Sequence, residues 1–175
     1  AREIVPTVND LAASLRDAGG RVVWIVTEAL PEDAGDWANL YQMMGAAAGA
    51  GRHAGLERES EGYELWPEMD VRPEDETVVK TRYSAMIEGS STLHKQLGEK
   101  GIDTVLIAGV ATNVCCEATA RDAMMLGYRT VMVHDANATF SDAEHNATLA
   151  TFYKQFGDVQ SAEETKAFIA AGPET

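Results

Sequence analysis

The segment Asp103-Thr104-Val105-Leu106-Ile107-Ala108-Gly109-Val110-Ala111-Thr112-Asn113-Val114-Cys115-Cys116-Glu117 points to an architecture of alternating strands and helices. Its first part, Asp103 to Gly109, is a continuous apolar run of strand length. A strand without a polar face is buried on both sides, as happens in parallel sheets covered by helices. Small residues then make a turn, and a helix is predicted from about Asn113 to Leu126, stopped by Gly127.

The pattern repeats outward in both directions. Upstream, Val5, Val8, Leu11, Ala12 and Leu15 recur at helical spacing until Gly19-Gly20. Arg21 to Val26 is another uninterrupted strand, and Thr77-Val78-Val79-Lys80 is a shorter one. Ser90 or Ser91 can cap a helix through Leu93 and Leu97 that ends at Gly98 or Gly101. Downstream, Thr130 to His134 is a strand. Ser141 with Glu144 forms a capping box for a helix reaching Phe156. Val159 marks a short edge strand, and Ser161 with Glu164 opens a last helix to about Ala170. Such alternation predicts an α/β protein with a parallel sheet covered on both faces. No repeat or linker divides the chain, so residues 1–175 are read as one domain. Ala29 to Glu76 has weak periodicity; a segment this long is functional, mobile, or carries short helices of its own. Within it, Ala46 to Gly51 reads as small and flexible.

Composition excludes several classes. The 14 Lys and Arg against 28 Asp and Glu give a net charge of −14, which disfavours nucleic acid and anionic membranes as partners. No apolar stretch approaches the roughly 18 residues of a membrane span, and no signal-peptide pattern opens the chain. The two cysteines are adjacent and poorly placed to pair with each other, which suits a reducing cytoplasm. The four histidines show no H-x-H, D-x-H or H-E-x-x-H spacing, so no metal is expected. His94 and His145 read as surface residues on helices, and His134, at a strand end, as a weak site candidate. No phosphate-binding loop follows a strand, and no cofactor is expected.

Ligands in doubly wound sheets bind at the carboxyl ends of the strands. Cys115 falls in the first helical turn after such an end, where backbone N–H groups and the helix dipole stabilise a thiolate or an oxyanion. Placement alone leaves two readings open, a nucleophile or a small buried hydrophobe. Cys116 points about 100° away and reads as packing. Lys80 ends its strand on the same sheet edge. It is either a solvated charge or a cation that activates the thiol and orients a carboxylate. Tyr83 and Trp66 flank the Lys80 region and could line an apolar pocket or simply pack. Arg82 could grip a carboxylate or sit on the surface.

The stretch from Ile107 to Ala123 resembles the nucleophile segment of isochorismatase-like cysteine hydrolases. Val79-Lys80-Thr81-Arg82-Tyr83-Ser84-Ala85 resembles the segment bearing that family's catalytic lysine, and Val133-His134-Asp135-Ala136 resembles the following strand end. The likeness runs from the first helix to about Asp158. It implies a three-layer α/β/α Rossmann-like fold and an Asp–Lys–Cys triad that hydrolyses amide or ureido C–N bonds of small molecules. Carried over, Cys115 is the nucleophile that forms a thioester, and Lys80 orients and polarises the triad. The Val110–Ala111 peptide would be cis, aiming the N–H groups of Ala111 and Cys115 at the oxyanion. Asn113 joins Tyr83, Arg82 and Trp66 as a pocket candidate. A thiol at 115 favours amidases over the branch that cleaves isochorismate. The absent Asp/His pattern disfavours the zinc-binding nicotinamidase branch. Members are usually dimers or tetramers, so a homodimer or homotetramer is expected.

One part of the pattern has no counterpart here. The family's triad Asp ends a strand upstream of the first helix; nothing before Val5 can be that strand, and Asp10 lies within the helix. General acid–base help is worth roughly 10²–10⁴-fold, so its loss would be nearly inactivating. The expectation is therefore a sequence lacking an N-terminal segment. The alternatives are a strand supplied by another chain, or a catalytically silent binding homologue.

Overall fold

Strand and helix alternate as the apolar pattern requires. The computed structural model describes residues 1–30 and 37–172. After a 3-10 turn at Arg2–Ile4, the elements run α1 (Val5–Asp17), β1 (Val23–Thr27), α2 (Ala38–Met44), α3 (Ala46–Leu56), β2 (Glu76–Lys80), α4 (Leu93–Glu99) and β3 (Thr104–Val110). A π-helical turn, Thr112–Cys116, leads into α5 (Glu117–Met125). Then come β4 (Arg129–Ala138), α6 (Asp142–Gln155), β5 (Asp158–Gln160) and α7 (Ala162–Ala171). All pairing is parallel. β1 lies beside β2, from Val23 opposite Glu76 to Thr27 opposite Lys80, and β3, β4 and β5 follow in that order.

Successive strand residues point to opposite faces and so enter different helix layers. Trp24 of β1, Leu106 of β3 and Val133 of β4 pack with Val8 and Leu11 of α1 and Ala162 of α7. Val23 and Ile25 of β1, Val78 of β2 and Val105 of β3 pack on the other face with Leu93, Leu97 and Ala123. Met132 meets Ala120, Leu149 and Phe152 there as well. This is the three-layer α/β/α arrangement. Residues of β1 and β3 share both clusters, so the two sheets form one layer. Yet β1 and β3 do not pair, and each has one edge without a strand partner among the described residues.

Three details differ from the sequence reading. First, Ala46 to Gly51 is not a flexible loop but the start of α3, because alanine's helix propensity outweighs the two glycines. Residues 31–36 of the longer Ala29 to Glu76 segment lie outside the described residues. Second, β4 continues beyond His134 to Ala138. Its register with β3 shifts between Ile107 and Gly109, where Gly109 takes φ 123°. Asn137 bridges the irregularity, its Nδ2 donating to the carbonyls of Ile107 and Val133, both at 2.7 Å. Third, the Ser161 capping box is complete, whereas Ser141 accepts from the Glu144 N–H but donates to that residue's carboxylate.

The chain entering β2 is tied down before the strand begins. Asp75 accepts from Arg16 Nε (2.9 Å) and Nη2 (2.6 Å), from Trp24 Nε1 (2.8 Å) and from the Arg72 N–H (2.9 Å). The Arg16 bond, first among several, holds the Asp75 carboxyl down to about 2.

Candidate active site

Parallel pairing aligns the carboxyl ends of β1 and β2, and a side-chain contact from the end of β2 to the turn after β3 gathers the reactive residues at that edge. Lys80, the last residue of β2, is 3% exposed. Its Nζ donates to the Arg82 carbonyl at 2.8 Å and to Cys115 Sγ at 3.3 Å. Burial pushes the Lys80 ammonium below its ordinary value; contact with Cys115 opposes that, and the charge of Arg52 reinforces it. Cys115 sits in the π-helical turn and is partly exposed. Its neighbour Cys116 is buried among Ala120, Met132 and Phe152, and burial pushes that thiol up to about 12. One cysteine therefore faces the lysine, and the other belongs to the core.

The turn is held from several sides. The Val110–Ala111 peptide is cis, and the Ala111 carbonyl accepts from the N–H groups of Val114 (3.1 Å) and Cys116 (3.2 Å). Val110 itself is exposed. Asn113 Oδ1 accepts from Thr139 Oγ1 at 2.6 Å. Thr112 is fully buried and shares a 2.9 Å hydrogen bond with His145 Nδ1. His145 is thus not a free surface residue but a half-buried brace from α6. Burial, then the charge of His134, lowers its pKa, against Asp142. Glu117 accepts from Arg121 at 2.6 Å and from Thr148 at 3.2 Å.

Aromatic and cationic groups stand above β2. Tyr83 packs edge-on against Trp37, with ring centroids 4.7 Å apart. The Arg82 guanidinium lies 5.3 Å from the Trp37 ring, and its Nη1 donates to the Thr81 carbonyl. At 9% exposure Arg82 is no solvated surface charge. Arg52, from α3, lies 5.2 Å from Tyr83 and 5.7 Å from Trp37. Trp66 is elsewhere. Its ring lies under Arg2 at 4.3 Å, and neighbouring Leu65 packs on the α1 cluster, so Trp37 takes the place beside Tyr83. Arg52 of α3 and Trp37, just before α2, carried no signal in the sequence, because both helices were hidden in the aperiodic segment. Among the described residues, no carboxylate hydrogen-bonds Lys80 or Cys115, and no group of three His, Cys, Asp or Glu could hold a metal. No helix there is long and apolar enough to cross a membrane.

An ammonium against a partly exposed thiol, at a helix start with further cations nearby, can hold a thiolate and receive a negatively charged group. A family model described as Isochorismatase domain matches residues 1–164. The chain is 42% identical over 101 residues to the uncharacterized isochorismatase family protein YwoC of Bacillus subtilis (strain 168), covering 58% of this chain and 52% of that protein. It is 40% identical over 103 residues to the ureidoacrylate amidohydrolase RutB of Variovorax paradoxus (strain S110), covering 58% of this chain and 40% of that one. The matches thus span about half or less of these relatives' length. A cysteine hydrolase from Pseudomonas syringae pv. phaseolicola 1448A superposes with a TM-score of 0.81 at 25% identity, over 97% of this chain and 81% of that structure.

Proposed function

The chain belongs to the isochorismatase family, and from that premise we propose that it is a cysteine-dependent hydrolase cleaving the C–N bond of a small amide or carbamoyl compound. The 3.3 Å contact between Lys80 Nζ and the partly exposed Cys115 Sγ carries this reading. Sγ attacks the scissile carbonyl carbon, and the electron pair moves to oxygen. The N–H groups of Ala111 and Cys115 and the positive charge of Lys80 stabilise that oxyanion. Collapse expels the amine, which takes up a proton, and leaves a thioester that water cleaves. Tyr83, Arg82 and Asn113 shape the pocket. The family resemblance, with the amidohydrolase RutB among the relatives, favours an amide substrate.

Proton transfer needs a base besides Lys80. We place it at the carboxyl end of a further parallel strand between β1 and β3, where both flanking edges lack a strand partner among the described residues. Such a strand would end on the same edge as Lys80 and Cys115. The competing reading is a silent homologue that keeps the fold without the base.

Alkylation separates the two readings. In the full chain, iodoacetamide should modify Cys115 near neutral pH at least about tenfold faster than free cysteine. Cys116 should stay unmodified, and small amides should protect Cys115. A rate no higher than that of free cysteine would support the silent reading.

A further inference from the structure

The site holds more positive charge than thiol chemistry uses. Lys80 engages Cys115, but Arg52 bonds to neither. α3 brings the Arg52 guanidinium against the rings of Tyr83 and Trp37, and its Nε is buried without a hydrogen-bond partner. Ring contact satisfies the face of a guanidinium, not the N–H donors in its plane. Among the described residues no carboxylate pairs with Arg52, although acidic residues outnumber basic ones two to one in this chain. Its ring partner Tyr83 stands three residues beyond Lys80, and the charge of Arg52 helps to lower the Lys80 pKa. A partly buried guanidinium with a buried, unused in-plane donor is costly unless an acceptor completes it. A planar fork resting on an aromatic pair fits a carboxylate, which it can bind through two parallel bonds.

Resting on the nucleophile reading of Cys115, we propose that Arg52 is a substrate-binding residue that receives a carboxylate, so that this site prefers small amides bearing a carboxylate close to the scissile bond. Trp37 and Tyr83 fix the guanidinium plane, and Lys80 stays with the thiol.

The test compares two reagents that alkylate the same sulfur. Iodoacetate and iodoacetamide both form an S–C bond and release iodide, but only iodoacetate has a carboxylate attached to the attacked carbon. Second-order rates at Cys115 are measured on the full chain at pH 7 and low salt, with the modified residue assigned by peptide mapping. The iodoacetate-to-iodoacetamide ratio should exceed that of free cysteine roughly tenfold. Arg52→Gln should remove most of that excess, and Arg52→Lys should retain much of it. An unmodified Cys116 in each variant shows that the core is intact. A parent ratio no higher than that of free cysteine overturns the carboxylate subsite without recourse to any variant. So does a ratio indifferent to Arg52→Gln, while fast alkylation by both reagents leaves Cys115 as the nucleophile. If neither reagent reacts faster than with free cysteine, the nucleophile reading fails and the subsite fails with it.

Discussion

Two adjacent cysteines of identical chemistry are made unlike by their surroundings. Cys115 lies open to Lys80, whereas Cys116 is 6% exposed within an apolar cluster. Replacing Cys115 with Ala should abolish turnover, and Cys116→Ala should largely spare it. Loss of turnover in the Cys116 variant alone would reverse the assignment. Lys80 is strained electrostatically rather than sterically. Its pKa is lowered in the fold, so the unfolded chain binds more protons near that pKa. Its contribution to stability is therefore unfavourable at neutral pH and improves as pH rises through the lowered value towards 10.5. Lys80→Met removes that penalty together with the bond to the Arg82 carbonyl. It should cost roughly 10²–10⁴-fold in turnover while leaving the urea midpoint little changed. These two residues were legible because each ends a strand or opens a helix in an unbroken pattern. Arg52 was not legible: its neighbour Tyr83 is far along the chain, and no local spacing encodes that meeting.

Among the elements, β2 depends most on side-chain anchoring. It is short, and Asp75 ties its entrance to α1 through Arg16 and to β1 through Trp24. The register that places Lys80 opposite Thr27 starts from this knot. Asp75 is nearly inaccessible, and its carboxyl is held down to about 2 from an ordinary 3.8. A depressed carboxyl contributes stability above its unfolded value, and that stability is lost as pH falls through the folded one. Asp75→Asn should therefore cost about 2 kcal/mol in urea unfolding at pH 7, with the difference shrinking between pH 3.8 and about 2. A variant equally destabilised at both ends of that window would mean that packing, not charge, holds the knot. The π-helical turn depends on elements in the same way. Its buried Thr112 is braced by His145 of α6, which looks like an ordinary surface histidine in the sequence.

At the largest scale two parallel sheets share one layer, and among the described residues β1 and β3 each keep an edge without a strand partner. Buried strand edges leave backbone donors and acceptors unsatisfied, which is costly away from water. If a parallel strand occupies that place and bears the triad base, amide exchange in active protein should be as slow in β1 and β3 as in the central strand β4. Fast exchange along those edges in active protein would exclude the inserted strand and send the search for the base elsewhere. At this scale the charge of −14 also gains meaning. The bulk of the molecule is acidic, but Lys80, Arg52 and Arg82 gather at one edge of the layer. Net charge describes the average surface, and recognition follows the local exception.

The alternation of doubly buried strands and amphipathic helices, the parallel class, and the strand ends where chemistry gathers can all be read from the order of residues. Those features are written in near-neighbour patterns, because apolar periodicity, glycine stops and capping residues act over a few positions. Only long-range packing settled that Trp37 rather than Trp66 stands beside Tyr83, and that Arg52 comes against Tyr83 from α3. It also decided that β1 and β3 share a layer without touching as strands. Each of these joins residues far apart in the chain, and such meetings follow from how whole faces pack, which no short stretch of residues records.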